Sequence, residues 1–231
     1  MKNYKKTSTL ILLMLLAGIT GCIDIQTDPS PTQGEASIGR LANIVIEGDS
    51  LTSASSGYGP YLRSHIDQFG IRISNVATGG DSLIHDEGIP AHVGMIVEGP
   101  TEVDPLYDGS FQHNIAVVLA RNDVGVHTPT EIVAAYNEWG TARKSAGFVT
   151  IAITLPVSND ADWEVIRQQI NSGIIASHPG FDYICDLGSD TIYGDLSYVG
   201  DPIWFADLIH HSDTGRDRVA SIVGNTIMGI L

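Results

Sequence analysis

Between Asn43 and Cys185, five short apolar runs alternate with stretches of helical period, and this alternation constrains the fold more than any other feature. The runs are 43–47, 71–76, 115–120, 148–154 and 181–185. They are rich in Val and Ile and nearly continuous in apolarity, as strands covered on both faces are. Helices are predicted between and after them. One covers 59–69. A second opens at Thr128-Pro129 and runs to about Ser145: Thr128 can cap, Pro129 suits the first turn and Glu131 complements the helix dipole. A third, over 160–177, carries Trp163, Ile166, Ile170 and Ile174 on one stripe, where core packing explains Trp163. A fourth opens at Ser212 and ends near Met228. Alternating strand and helix predicts one three-layer α/β/α domain over 41–231, with a five-stranded, mostly parallel sheet. No repeat or second domain is visible. Residues 80–113, Gly- and acid-rich, read as an insertion near the mouth of a site.

The chain has 231 residues, 12 Lys and Arg against 27 Asp and Glu, and a formal charge of −15. That balance disfavours a nucleic-acid partner and docking through basic patches on anionic lipid. Two cysteines cannot staple a small scaffold. Cys185, in an apolar run, reads as a small buried hydrophobe.

The N-terminus reads as an address. Lys2, Lys5 and Lys6 precede the apolar run Leu10 to Ala17, which is too short to span a bilayer. Ile19-Thr20-Gly21-Cys22 resembles the bacterial lipobox. That resemblance implies a signal peptide over 1–21 and lipid on Cys22. Residues 23–40, with Pro, Ser, Thr, Gly and Gln, would be a flexible tether to an exported, membrane-anchored domain. Ile23 stands where an Asp would mark inner-membrane retention, which favours an outer-membrane destination in a Gram-negative source.

In a parallel sheet, ligands bind beyond the carboxyl ends of the strands. After the first predicted strand comes Gly48-Asp49-Ser50-Leu51, where a serine hydroxyl meets helix-end amides, or merely caps a turn. After the second comes Gly79-Gly80, which lets backbone approach a ligand and offers an amide, or simply turns the chain. After the third comes Asn122, a donor for a developing oxyanion or a turn cap. Before the last helix stand Asp207 and His210, spaced so that the carboxylate can hold one imidazole nitrogen while the other faces outward as a base. A capping Asp207 beside a surface His210 is the plainer reading.

In order and placement the four blocks together resemble the GDSL-type, or SGNH, serine esterases and lipases. Block one is literal in Gly48-Asp49-Ser50-Leu51; Gly80, Asn122 and the pair Asp207 and His210 match the others. The resemblance runs from Asn43 to about Val223, with Ser212 and Gly215 extending the last block. It implies a flavodoxin-like sheet and an acyl-enzyme mechanism without a cofactor or metal. Ser50 would be the nucleophile, His210 the base and Asp207 its orienter. The amides of Ser50 and Gly80, with the Asn122 side chain, would form the oxyanion hole. Two positions depart from the pattern. Ala120 replaces the usual Gly before Asn122, which would narrow the oxyanion pocket. His211 replaces the usual Pro after the catalytic His, and so is a rival base that the spacing from Asp207 disfavours.

Other classes fare worse. A metal hydrolase would have to use His85, Asp86, Glu87 and His92, since no HExxH or paired Cys/His spacing exists. GxxxxGK[ST] and GxGxxG are missing. A glycan- or solute-binding lipoprotein that has lost catalysis is the alternative of another kind. For an esterase, export favours small acyl groups, acetyl above all, on carbohydrate. Tyr193, Tyr198, Trp204 and Phe205 could stack on sugar rings or pack the core. A lysophospholipase or thioesterase is the lipid alternative. Oligomeric state is not legible.

Overall fold

The computed structural model describes residues 39–66, 68–84, 94–158 and 161–231. The predicted signal, the predicted lipidation site Cys22, nearly all of the predicted tether, and His85, Asp86, Glu87 and His92 lie outside the described residues.

Five strands form one sheet: β1 (Arg40–Gly48), β2 (Ile71–Asn75), β3 (Phe111–Leu119), β4 (Val149–Ile153) and β5 (Tyr183–Cys185). Their order is β2-β1-β3-β4-β5, and every neighbouring pair is parallel. β1 begins three residues before the predicted run. Arg40, assigned to the tether by composition, already pairs with Phe111. β5 is shorter than predicted because Phe181 and Asp182 belong to a turn, with Asp182 N–H bonded to the Thr150 carbonyl.

The helices are α1 (Leu62–His65), α2 (Met95–Glu102), α3 (Pro129–Ser145), α4 (Ala161–Ala176) and α5 (Asp213–Met228). α1 packs with α5, while α2 and α4 pack on α3, giving the two outer layers. α3 starts as predicted: Thr128 and Glu131 form a reciprocal capping box ahead of Pro129. Ser212 caps α5 by accepting the Gly215 amide at 3.1 Å.

Two expectations change. The helix predicted over 59–69 is a 3-10 turn (Gly59–Tyr61) and the single-turn α1. Gly70 then turns the chain into β2 with φ 82°. Residues 80–113 are not only an insertion. They hold α2 and the first residues of β3, and so supply the crossover that carries the chain from edge strand β2 past β1 to β3. A parallel sheet cannot do without such a connection.

The central strands are buried on both faces, with Ile44, Ile46, Ile115, Val117, Ile151 and Ile153 fully covered. Each such side chain contributes roughly 1.5–3 kcal/mol. Cys185 is a core residue, as read, and so is Trp139, whose indole N–H donates to buried Glu47 at 2.5 Å. This rigid slab fixes where the loops at its carboxyl edge begin.

Candidate active site

Ser50 follows β1 in a tight turn. A Cβ on Gly48 would lie 2.5 Å from the Leu119 carbonyl oxygen, so only glycine lets the strand leave the sheet here. Asp49 is fully buried. One carboxylate oxygen accepts the Leu51 amide at 2.8 Å, and the other accepts the Arg121 amide, beyond β3, at 2.7 Å. Burial pushes the Asp49 carboxyl up to about 6, although both amides and the Arg121 charge favour its ionised form. The hydroxyls of Ser53 and Ser56 donate to the Ser50 carbonyl at 3.3 and 2.9 Å.

The loop after β2 lies against this turn. The Thr78 amide donates to the Gly48 carbonyl at 3.0 Å, and a Cβ on Gly79 would be 4.0 Å from the Ser50 Cβ. Gly80 has φ 89°, a conformation that disfavours other residues. The loop after β3 is braced to it twice. Asn122 donates its side-chain amide to the Asp81 carbonyl at 2.7 Å. Asp123 accepts the amides of Leu83 at 2.8 Å and Ile84 at 3.0 Å. The Asn122 amide has a second N–H. At Ala120, Tyr136 holds the backbone by donating to its carbonyl and accepting its N–H.

The fourth block reaches the others through its histidine. One Asp207 oxygen accepts the amides of Ile209 at 2.7 Å and His210 at 2.6 Å. The other lies 2.8 Å from His210 Nδ1, and His210 Nε2 lies 3.0 Å from Ser50 Oγ. Residues separated by 160 positions thus form one hydrogen-bonded chain. With Nδ1–H donated to the carboxylate, Nε2 is the acceptor for the serine hydroxyl. Partial burial opposes ionisation of Asp207, but the two amides and the imidazole outweigh it and hold the carboxyl down at about 2.

His211 points away from this chemistry. It is 1% exposed, and neither ring nitrogen has a hydrogen-bond partner. Its ring lies 4.5 Å from that of Tyr193 and 5.5 Å from that of Phe205. Burial, with the neighbouring charges of His210, Arg216 and Arg121, pushes its imidazole down to about 3. It is a packing residue and not a base.

The solved structures now bear on this geometry. The chain is similar to a member of the lipolytic G-D-S-L family from Veillonella parvula, at 17% identity over 83% of this chain and 100% of that one, with a TM-score of 0.59. It is also similar to a carbohydrate acetylesterase from Sinorhizobium meliloti, at 13% identity over 82% and 100% of the two chains, TM-score 0.57. A Geobacillus acetyl-xylooligosaccharide esterase gives 14% identity over 82% and 95%, TM-score 0.61. The chain has their fold. No family model matches it, and no curated protein matches it in sequence.

For the aromatic residues before Asp207 the structure decides between the two readings the sequence left open. Tyr193 and Phe205 are buried against His211 beside the loop that carries His210, where Tyr193 donates to the Gly215 carbonyl, so neither can stack on a sugar. Tyr198 and Trp204 are half-buried. A surface groove of about 560 Å³ among the described residues is lined by Ala54, Gly59, Arg63, Ile71, Ile73 and Asn75. It does not include the serine or the histidine, and the hydrogen-bonded chain, not groove size, locates the site. Among the described residues no three His, Cys, Asp or Glu side chains are grouped to hold a metal. Sequence reasoning gave no role to Asp49, Arg121 or Asp123. Their signal was present: each is a charged residue within four positions of the end of an apolar strand.

Proposed function

We propose that this chain is a serine esterase that removes small acyl groups, acetyl foremost, from carbohydrate. The observation that carries the reading is the chain Ser50 Oγ, His210 Nε2 and Nδ1, Asp207 Oδ2, with links of 3.0 and 2.8 Å, at the carboxyl edge of a parallel sheet. Ser50 Oγ attacks the ester carbonyl as His210 Nε2 takes its proton. Asp207 keeps the imidazole in register and stabilises the imidazolium. The amides of Ser50 and Gly80 and the Asn122 side chain donate to the oxyanion. The tetrahedral adduct expels the alcohol, which receives the proton from His210. Water, deprotonated by the same nitrogen, then frees the acid and restores Ser50. Acylation and deacylation each begin with His210 unprotonated, so turnover should fall in acid and level off at alkaline pH.

Carbohydrate as the alcohol is supported by the acetylesterases of the same fold and by the export signal read at the N-terminus. On this reading Cys22 carries lipid and holds the enzyme at a bacterial membrane, with the outer membrane or cell surface as its place. A panel of acetyl, butyryl and longer p-nitrophenyl esters, run beside acetylated polysaccharide, tests it. Acetyl substrates should be the fastest, and Ser50→Ala should fall to the assay background. Wild-type turnover by Ser50→Ala would end the proposal. A fluorophosphonate should label Ser50; a chain that stays unlabelled is a binding protein. Radiolabelled palmitate incorporated by wild type but not by Cys22→Ala tests the anchor.

A further inference from the structure

Among the described residues three aromatic side chains are exposed, and all three stand at the amino edge of the sheet, opposite the candidate site. Phe69, 76% exposed, lies two residues before β2, and the Gly70 carbonyl beside it accepts the Leu41 amide of β1 at 2.9 Å. Tyr107, 43% exposed, precedes β3 and sets its ring edge-on to that of Phe148, the residue before β4, at 5.5 Å. Tyr183, 44% exposed, is the first residue of β5. Arg40, Arg72 and Lys144 stand at the same edge. The guanidinium carbons of Arg40 and Arg72 lie 5.4 and 4.9 Å from the centroid of the Phe111 ring, at the start of β3. The acids Asp108 and Asp182 are matched there, the first with both arginines and the second with Lys144. At the opposite edge Asp207 and Asp213 are exposed beside His210 and the start of α5.

Aromatic rings flanked by arginine and lysine are the side chains that settle in the headgroup layer of a bilayer. The chain also enters the domain at this edge: β1 begins at Arg40, and residues 23–39 join it to Cys22. As a coil that segment would span about 23 Å. β1 then carries the chain about 26 Å farther before it reaches Ser50. We propose that the amino edge is seated on the bilayer to which Cys22 is anchored, with Phe69, Tyr107 and Tyr183 among the lipid headgroups, and that Ser50 and His210 face the aqueous side. The anchor holds this face at high local concentration, so a few ring contacts suffice. The net charge of −15 does not oppose the seating, because rings and not charge make the contact, and the exposed acids keep the opposite edge off anionic lipid. Substrate then arrives from solution: an ester on a polymer reaches Ser50, and an ester held in the same bilayer does not. The inference deepens the proposed function and rests on its anchor at Cys22.

The test is hydroxyl-radical footprinting of the mature chain, free in solution and anchored on phosphatidylethanolamine–phosphatidylglycerol vesicles. Cys22 carries the anchor, by its own lipid or by a maleimide lipid coupled to its thiol; Cys185 is buried and does not compete. Oxidation of Phe69, Tyr107 and Tyr183 should fall severalfold on anchoring, while Ile203 and Leu208, exposed near His210, should be oxidised as in the free chain. Phe69→Ser combined with Tyr183→Ser should release the protection of Tyr107 and leave turnover of p-nitrophenyl acetate unchanged. Oxidation that falls equally at both edges, or mainly at Ile203 and Leu208, would overturn the seating, as would protection of Tyr107 that survives the double variant. Protection that appears in the free chain as its concentration rises would give the face to a second copy of the chain instead. A chain that takes up no palmitate in the cell loses the natural anchor and the seating with it; a chain that takes up palmitate but shows a flat footprint keeps the anchor and loses the seating alone.

Discussion

The Ser50 side and the His210 side of the candidate site are built differently. Ser50 stands on a turn whose supports are buried and reach across strands. Asp49 ties it to the loop after β3, and Asn122 and Asp123 tie that loop to the one after β2. His210 stands on a loop whose supports are local and exposed: Asp207, with 56% of its side chain accessible, braces the amides two and three residues on. The one buried device beneath it is His211, packed on Tyr193 and Phe205. On the proposed mechanism the rigid half would hold what must meet the oxyanion within tenths of an ångström, and the lighter half the group that would shuttle a proton. The same residue type, an aspartate accepting two amides, is a structural keystone in one half and a chemical part in the other.

Substitution should separate the two. Asp207→Asn should lower kcat by about 10⁴-fold, because the imidazole loses its orienting charge and tautomer. Its melting midpoint should move by no more than about 2 °C, as expected for an exposed side chain. Asp49→Ala should do the reverse in emphasis. It strands the amides of Leu51 and Arg121 in the interior, at a cost of about 4 kcal/mol or roughly 10 °C in the midpoint. Calorimetry and p-nitrophenyl acetate kinetics on both variants check this; equal midpoints would erase the contrast. Asn122→Ala lies between them, with about a hundredfold loss in kcat, or roughly 3 kcal/mol, from one missing oxyanion donor. A loss confined to KM would remove Asn122 from the oxyanion hole.

The contrast also explains how much the sequence disclosed. Strand and helix order was legible because burial on both sheet faces forces continuous apolar runs, and α3 and α5 declared their starts through Thr128 and Ser212. The weak points were segments whose form depends on partners distant in sequence. Gly59–Phe69 has helical period but only a single turn, and α2 lies within an acid- and Gly-rich segment that the sheet order turns into a crossover. At the site, the residues later found in one hydrogen-bonded chain were visible as blocks after strands. The bracing by Asp49 and Asp123 was not, because a carboxylate that caps amides across loops leaves no periodic trace. The aromatic residues before Asp207 stayed open for a related reason: buried packing and sugar stacking call for the same side chains, and only burial tells Tyr193 and Phe205 from a binding face.

The smallest expected effects lie in pH, where the two halves should respond in opposite directions. Glu47, at the end of β1, is buried against Trp139, and desolvation raises its carboxyl from 4.5 to about 8 despite the indole hydrogen bond and the Arg143 charge. An acid raised on folding stabilises fully below its unfolded value, and that stability is lost as pH rises through about 8. His211 is lowered from 6.5 to about 3, so its contribution is complete above 6.5 and is lost as pH falls through about 3. Glu47→Gln, which keeps an acceptor for the indole, should therefore flatten a stability profile between pH 4.5 and 8 and leave it unchanged below 4.5. His211→Leu should flatten the acid limb and leave the alkaline one. Each change should amount to about 2 kcal/mol at its end of the profile after structural relaxation. Urea titrations at pH 4.5, 6.5 and 8.5 measure both. Curves for either variant that run parallel to wild type across that range would show that neither buried group sets the pH limits of the fold. Acid sensitivity would then rest on the carboxylates that ion pairs and amides hold below their usual range, Asp182, Asp190 and Asp207 among them.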